Sequence, residues 1–519
     1  MVAVVEATRG VSIEEGAEVA DQSALASDQL RSKVSGALRW SFMNSAFSRV
    51  GQLALGIVLA RLIAPDQFGV YAAALVVINI ILSISELGVS VALVRHTGDI
   101  SSMAPTVTTL SLASGGVLAV VCFAGAPWFA DALGAPEARG VIQLMSVAVL
   151  FAGASAVPGA ILQREFRQDH KLFADTLSFV VNAGVAVALA LNHFGPWALA
   201  WSRVAANITA TVVMFVLTKE RYGPGFDRAQ ARALLAFGLP LAGSSLLVFA
   251  VLNVDYIVVG AVLGPVSLGL YLMAFNLSSW PVGVVATTIR GVSMAGFSHL
   301  RDDPQKFRES FSNSLSILMA LSIPACVWLA ALGRPLVRFV YGDRWEAAAA
   351  ALAILSILGA LRVALELSYD YLAAAGRSTS ILAIHVLWLI GLVPALAVGA
   401  HLDGIRGVGW GHVVTVALLV TPAYGWALHR IGVDVWSVLG VLARPVFGGA
   451  VMFVVATYAQ RLVDGDPAKL MVGGTLSTVA YALVMWPIGR LALTRRAEHR
   501  TASVEASLAT PAVQLAGRD

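Results

Sequence analysis

The stretch IVLARLIAPDQFGVY, residues 57–71, recurs as IVVGAVLGPVSLGLY, residues 257–271. Ile57, Val58, Pro65, Gly69 and Tyr71 coincide with Ile257, Val258, Pro265, Gly269 and Tyr271 without a gap, at an offset of 200 residues. Each copy closes one apolar run and opens another through a turn marked by Pro and Gly, the residues a tight turn constrains most. Two apolar helix–turn–helix pieces can also match by chance, so the rest of the chain has to give the match its meaning.

Composition supplies the context. Of 519 residues, 58% are hydrophobic and 13% charged, and the mean hydropathy is +0.79. Soluble domains carry about a quarter charged residues, so the bulk of this chain belongs in lipid. A transmembrane helix takes about 20 mostly apolar residues, and fourteen such runs succeed one another between residues 38 and 490. Strands are excluded, because the runs are too long and an open sheet edge cannot face lipid. The expected fold is all-α and polytopic. The repeat joins spans 1 and 2 in its first copy and spans 7 and 8 in its second. Six spans separate the copies, so both face the same way. Parallel repeats of this kind place a transporter's substrate between the halves, near the midplane.

The expected organisation follows. Residues 1–36 form a solvated tail without the pattern of a cleaved signal peptide. Spans 1–6 (37–218) make one lobe and spans 7–12 (233–430) another, joined by the charged, Gly-containing linker KERYGPGFDRAQAR (219–232), which suits a solvated hinge. Spans 13–14 (431–492) lie outside the repeat, and 493–519 is a second tail. With the N-terminus inside, about 22 Lys and Arg fall on the inner side and 8 on the outer. Basic residues mark the cytoplasmic side of short loops, so both termini are expected in the cytoplasm.

Other classes lack their residues. The formal net charge of +4 gives no nucleic-acid signature, and Cys122 and Cys326 lie alone in apolar runs, which excludes a disulfide framework or a zinc site. There is no Gly-rich loop ending in Lys-Ser/Thr to cradle a nucleotide, and His401, Asp403, His412 and His429 have no metal-ligand spacing. The chain reads as neither an enzyme nor a cofactor carrier.

The charges inside the spans carry the functional signal. In LGALRVALELSYDYLAAAG (358–376), Arg362, Glu366 and Asp370 are spaced by four and share one helix face. Arg49 with Gln52 in span 1, and Arg203 with Asn207 in span 6, lie about a helical turn apart. Three unpaired arginines at that depth would cost on the order of 8–10 kcal/mol. They must therefore be paired or hydrated. One reading pairs Arg362 with Glu366, and Arg49 and Arg203 with Glu86 or Asp255. The other lines a wet cavity with Arg49, Gln52, Arg203, Asn207 and Arg362, to meet an anionic headgroup, leaving Glu86, Asp255, Glu366 and Asp370 as counter-charges or proton or sodium sites. Arginine suits a diphosphate because its planar fork donates parallel hydrogen bonds and stays charged at depth. Trp128, Trp197, Trp345 and Tyr271 read as interface anchors, His385 as a packing residue, and DDPQKFRESF (302–311) as a short amphipathic helix on the inner face.

Several phrases, in order, resemble the MOP exporter superfamily, in its polysaccharide branch of Wzx-type, colanic-acid-exporter-like flippases for lipid-linked oligosaccharides. They are FGVYAAALVVINIILSISELGVSVALVRH (68–96), LQREFRQDHKLFAD (162–175), VDYIVVGAVLGPVSLGLYLMAFNL (254–277), FSHLRDDPQKFRESF (297–311) and GRPLVRFVYGDRWEAAAALAILSI (333–357). The resemblance implies two six-helix lobes that carry polyprenyl-diphosphate-linked oligosaccharide across the bacterial inner membrane by alternating access. Partners would be the lipid-linked substrate and a polymerase or glycosyltransferase complex. A multidrug/cation antiporter of the same superfamily and a non-transporting scaffold of envelope synthesis are the competing readings; the first calls for a net acidic cavity.

Overall fold

A computed structural model describes residues 50–85, 93, 100–165, 167–218, 222–299 and 304–486. Among them every regular element is helical. Helix α1 is the described part of span 1, Val50–Leu62. It is followed by α2 (Pro65–Ser85), α3 (Ala104–Ala132), α4 (Arg139–Arg164), α5 (Gln168–Leu191) and α6 (Pro196–Leu217). The continuous segment Arg228–His299 is broken at Gly264, whose φ of 77° no helix contains, so it divides into α7 (228–263) and α8 (265–299). Then come α9 (Pro304–Tyr341) and α10 (Ala348–Ala374). Ser378–Thr415 turns at Asp403 and Gly404 into α11 (378–402) and α12 (405–430), the latter containing a π turn at Val416–Val420. Last are α13 (Val435–Ala459) and α14 (Asp466–Trp486). Among the described residues, eleven helical stretches are long and apolar enough to cross a membrane, and Val50–Leu62 is a shorter apolar helix.

By contacts the chain divides into two units, Met1–Gly269 and Leu270–Asp519. Inside the first unit, the two copies of the repeat meet. A Cβ added to Gly69 would lie 1.8 Å from the Pro265 carbonyl oxygen. One added to Gly269 would lie 2.6 Å from the Pro65 carbonyl oxygen and 2.9 Å from the Gly69 nitrogen. Equivalent residues thus face one another backbone to backbone, the relation a two-fold axis between the turns produces. Pro65 opens α2 with the φ a first helical turn needs, and Pro265 opens α8 after the left-handed Gly264. Nearby, Gly134 at φ 61° packs on the Gly260 carbonyl, where its missing side chain leaves 3.0 Å.

The other end of α7 is held as firmly. The Gly225 N–H donates to the Pro105 carbonyl (3.2 Å), the Thr109 hydroxyl donates to the Gly225 carbonyl (2.6 Å), and the Asp227 N–H donates to the Thr106 hydroxyl (3.1 Å). The Asp227 carboxylate then caps α7 by accepting from the Ala229 and Gln230 amides (2.8 and 3.0 Å). Leu234 joins the buried cluster of Ile100, Ala104, Val107, Val157 and Ile161. Within the expected linker (219–232), residues 225–227 thus form a strap bonded to the start of α3. Tethered at both ends, α7 belongs to the first unit, and the unit boundary falls after the second repeat turn.

In the second unit, α13 and α14 pack on α9. The Tyr481 hydroxyl donates to the Ala320 carbonyl (2.9 Å), Gln460 to the Ala331 carbonyl (3.4 Å), and Arg338 pairs with Asp466 (3.4 Å). Arg338 also pairs with Asp343 (3.1 Å), and Arg334 pairs with Glu346, fastening the α9–α10 turn. Within that turn Trp345 is buried rather than an interface anchor, as is Tyr271, because both fill helix junctions; Trp128 and Trp197 are exposed. The expected amphipathic helix at 302–311 is instead the first turns of α9 from Pro304, with Phe311 buried against Tyr371 at 4.7 Å between ring centres.

Candidate functional site

Two of the expected site residues, Arg49 and Glu86, lie outside the described residues. The others are divided between the two units.

In the first unit, Gln52 is exposed on α1, and α1 packs through Leu59 and Ile63 against Ala186, Ala190, Ala198 and Leu199 of α5 and α6. Arg203 lies on α6, seven residues in from Pro196, so about 10 Å down the helix axis. It is exposed, sits within electrostatic reach of Tyr71 and has no ion pair or side-chain hydrogen bond among the described residues. Asn207, half-buried one turn on, donates one amide N–H to the Arg203 carbonyl (2.8 Å). Asp255 is fully buried in α7, where its carboxylate accepts from the Tyr256 amide (2.9 Å). It is not paired with Arg203.

In the second unit, Arg362 occupies the middle of α10 and is half-buried. Its guanidinium carbon stands 5.5 Å from the centre of the Phe275 ring on α8. Behind Phe275 lie Tyr271 at 6.1 Å and the buried His412 of α12 at 6.5 Å, between ring centres. Among the described residues, Arg362 has no ion pair or hydrogen bond, so the Glu366 pairing of the first reading does not form. Glu366 is half-buried one turn on, and Asp370 is buried within electrostatic reach of Tyr424 on α12. Tyr369 meets the edge of His385 at 5.9 Å, and the His385 ring is tied to the Ile381 carbonyl of its own helix at 2.8 Å, the packing role expected of it.

Sequence reasoning missed Phe275 and His412. It weighed His412 only for metal-ligand spacing, whereas the turn at Gly404 places it two turns inside α12. The signal for Phe275 was present: it follows the repeat's Tyr271 by four residues, hence on the same helix face. A contrasting cleft of about 630 Å³ lies between the start of α9 and the α12–α13 turn. There Arg308 donates to the Gly432 carbonyl (3.1 Å) and Glu309 accepts from Gln305 (3.1 Å), so its charges are satisfied locally.

A half-buried cation without a counter-ion is costly in a bilayer. Resting on a ring face, it keeps all five N–H donors available, and such a group can take an oxyanion bidentately. Among the described residues no group of three or more His, Cys, Asp or Glu side chains could hold a metal ion.

Comparison with known proteins places the chain. Residues 58–350 match the family described as polysaccharide biosynthesis protein. The succinoglycan biosynthesis transport protein ExoT of Rhizobium meliloti is 25% identical over 454 residues, covering 85% of this chain and 91% of that protein. The lipopolysaccharide biosynthesis protein WzxC of Escherichia coli is 24% identical over 425 residues, covering 78% and 85%. In fold, the lipid II flippase MurJ in an inward closed conformation superposes with a TM-score of 0.70 at 12% identity, covering 87% of this chain and 99% of that one. An inward-facing multidrug transporter of the MATE family, in the MOP superfamily, gives 0.58 at 16% identity, covering 73% and 94%.

Proposed function

Because the chain belongs to the polysaccharide biosynthesis protein family, we propose that it is a flippase for polyprenyl-diphosphate-linked oligosaccharide. It would work in the bacterial inner membrane with both termini in the cytoplasm, carrying its substrate to the outer leaflet by alternating access between lobes 37–218 and 233–430. The observation that carries this reading is Arg362: a cation at the middle of a spanning helix, with its hydrogen-bond donors unspent among the described residues. Arg203, equally unpaired, and Arg49 supply the other positive groups. The diphosphate replaces the missing counter-ions, the sugar passes through hydrated space, and the polyprenyl tail stays in lipid. The buried carboxylates Asp255 and Asp370 are where a proton or sodium gradient would couple to the cycle. Neighbouring polymerase and glycosyltransferase proteins would supply and consume the substrate.

The strap at 225–227 modifies the expected motion. With α7 bonded to α3 through residues 225–227 and packed on Gly134 through Gly260, the pivot we propose is the second repeat turn rather than the linker.

The test is flipping of a fluorescent polyprenyl-diphosphate-linked sugar in proteoliposomes. Arg49→Gln, Arg203→Gln and Arg362→Gln should each slow it about tenfold or more, with protein content of the vesicles unchanged. Unaltered flipping in all three would overturn the reading. Loss of complex assembly with intact lipid binding would favour a scaffold, and export of an organic cation would favour an antiporter.

A further inference from the structure

We infer that Phe275 is a positioning residue that holds Arg362 charged and open-handed, making the pair a seat selective for phosphate anions. The inference rests on the flippase reading and deepens it, since it assigns the part of the substrate that this place in the second unit recognises.

A guanidinium deep in a protein is ordinarily steadied by a carboxylate, and here one is in reach by sequence: Glu366 lies one turn further along the same helix. Yet Arg362 is not paired with it and stands over the Phe275 ring instead. A carboxylate would occupy two N–H donors and would have to be displaced by each incoming oxyanion. The face of an aromatic ring attracts the cation through its quadrupole and uses none of them. A ring thus stabilises the empty site without competing for the ligand.

The ring is held in turn. Tyr271 is fully buried and His412 is buried, and the two flank Phe275 from α8 and α12. The backbone beneath it is fixed as well, with the Phe275 carbonyl accepting from the Ser278 hydroxyl at 2.9 Å. The seat is therefore built from three helices of one unit, and its orientation does not depend on the other. At the equivalent position of the first repeat copy stands Leu75, which has no ring to offer. Arg203, on α6 of that unit, lies within electrostatic reach of Tyr71 on α2 and is more exposed. Water can solvate Arg203; Arg362 needs the ring.

The experiment is native mass spectrometry of the full chain with polyprenyl diphosphate that bears no sugar, and with the uncharged polyprenol. Phe275→Leu should weaken diphosphate binding about tenfold, and Phe275→Trp should hold it within about threefold. Polyprenol binding should not change in either. Phenylalanines carrying one, two and three ring fluorines, installed at 275, keep the shape while draining charge from the ring face. Affinity for the diphosphate should fall with each fluorine, a trend that a packing role alone would not produce and that stands even where the leucine variant fails to fold. Arg362→Gln should abolish the dependence on residue 275. A flat fluorine series with Arg362→Gln still weakened would overturn the role of Phe275 and leave the flippase reading standing. Wild-type protein that does not discriminate diphosphate from polyprenol would overturn both.

Discussion

In the first repeat copy, Pro65 and Gly69 turn α1 into α2; in the second, Pro265 and Gly269 turn α7 into α8, and each turn presses its backbone on the other. Six residues past Gly69 comes Leu75, and six past Gly269 comes Phe275. The copies agree at the two glycines where no side chain fits and differ at the position that, in the second copy, faces a charge. Backbone contact allows one solution, since any Cβ at 69 would overlap a carbonyl oxygen. A helix face one or two turns away is free to diverge, and there the second copy has acquired an aromatic support for Arg362. Tyr71 and Tyr271 show an intermediate case. Both are kept, but the first is half-buried near Arg203 and the second is fully buried behind Phe275.

The largest effect should come from breaking the shared part. Gly69→Ala puts a methyl 1.8 Å from the Pro265 oxygen, where the obstacle is backbone and cannot rotate away. Overpacking of this severity should cost about 3 kcal/mol or more, read as a large fall in the thermal midpoint and yield of the detergent-solubilised protein. Gly269→Ala, with 2.6 Å to the Pro65 oxygen, should cost less, about 1–2 kcal/mol. Gly184→Ala, in α5 with nothing within 4 Å, should instead stabilise by about 0.5–1 kcal/mol. If the three variants melted together, packing of the two turns would not be what holds the first unit.

The fold was largely legible because apolar length and Pro–Gly punctuation are local signals, and the bilayer leaves helices as the option. The turn at Gly264 lies inside the repeat and was legible for the same reason. The strap was not legible. Its glycines look like a flexible segment, and only the spatial approach of Pro105 shows that Gly225 is there to let backbone meet backbone, with 2.8 Å to the Pro105 Cβ from any side chain added. Trp345 and Tyr271 misled for a related reason: near a span end, an aromatic can face the headgroups or a helix junction, and spacing does not tell which. At the site, the helical spacing of Arg362 found the cation and offered Glu366 as its partner in one of two readings, but could not show the Phe275 ring. A periodicity argument sees along one helix, whereas the ring that supports Arg362 comes from another.

The smallest effect should come from the strap, and it bears on the end of α7 opposite the repeat turn. Thr109→Val keeps shape and removes the hydroxyl that donates to the Gly225 carbonyl, while Thr108→Val removes one that donates only within its own helix, to Ala104 at 2.9 Å. One half-buried hydrogen bond contributes about 1 kcal/mol, so hydrogen exchange at the Gly225 and Asp227 amides should quicken about fivefold in the first variant and hardly at all in the second. The thermal midpoint should move little in either, because the backbone contact at Gly69 and Gly269 is untouched. Unchanged exchange in Thr109→Val would mean that α7 is held from the turn end alone. The repeat would then account for the tether without help from the segment that joins its copies.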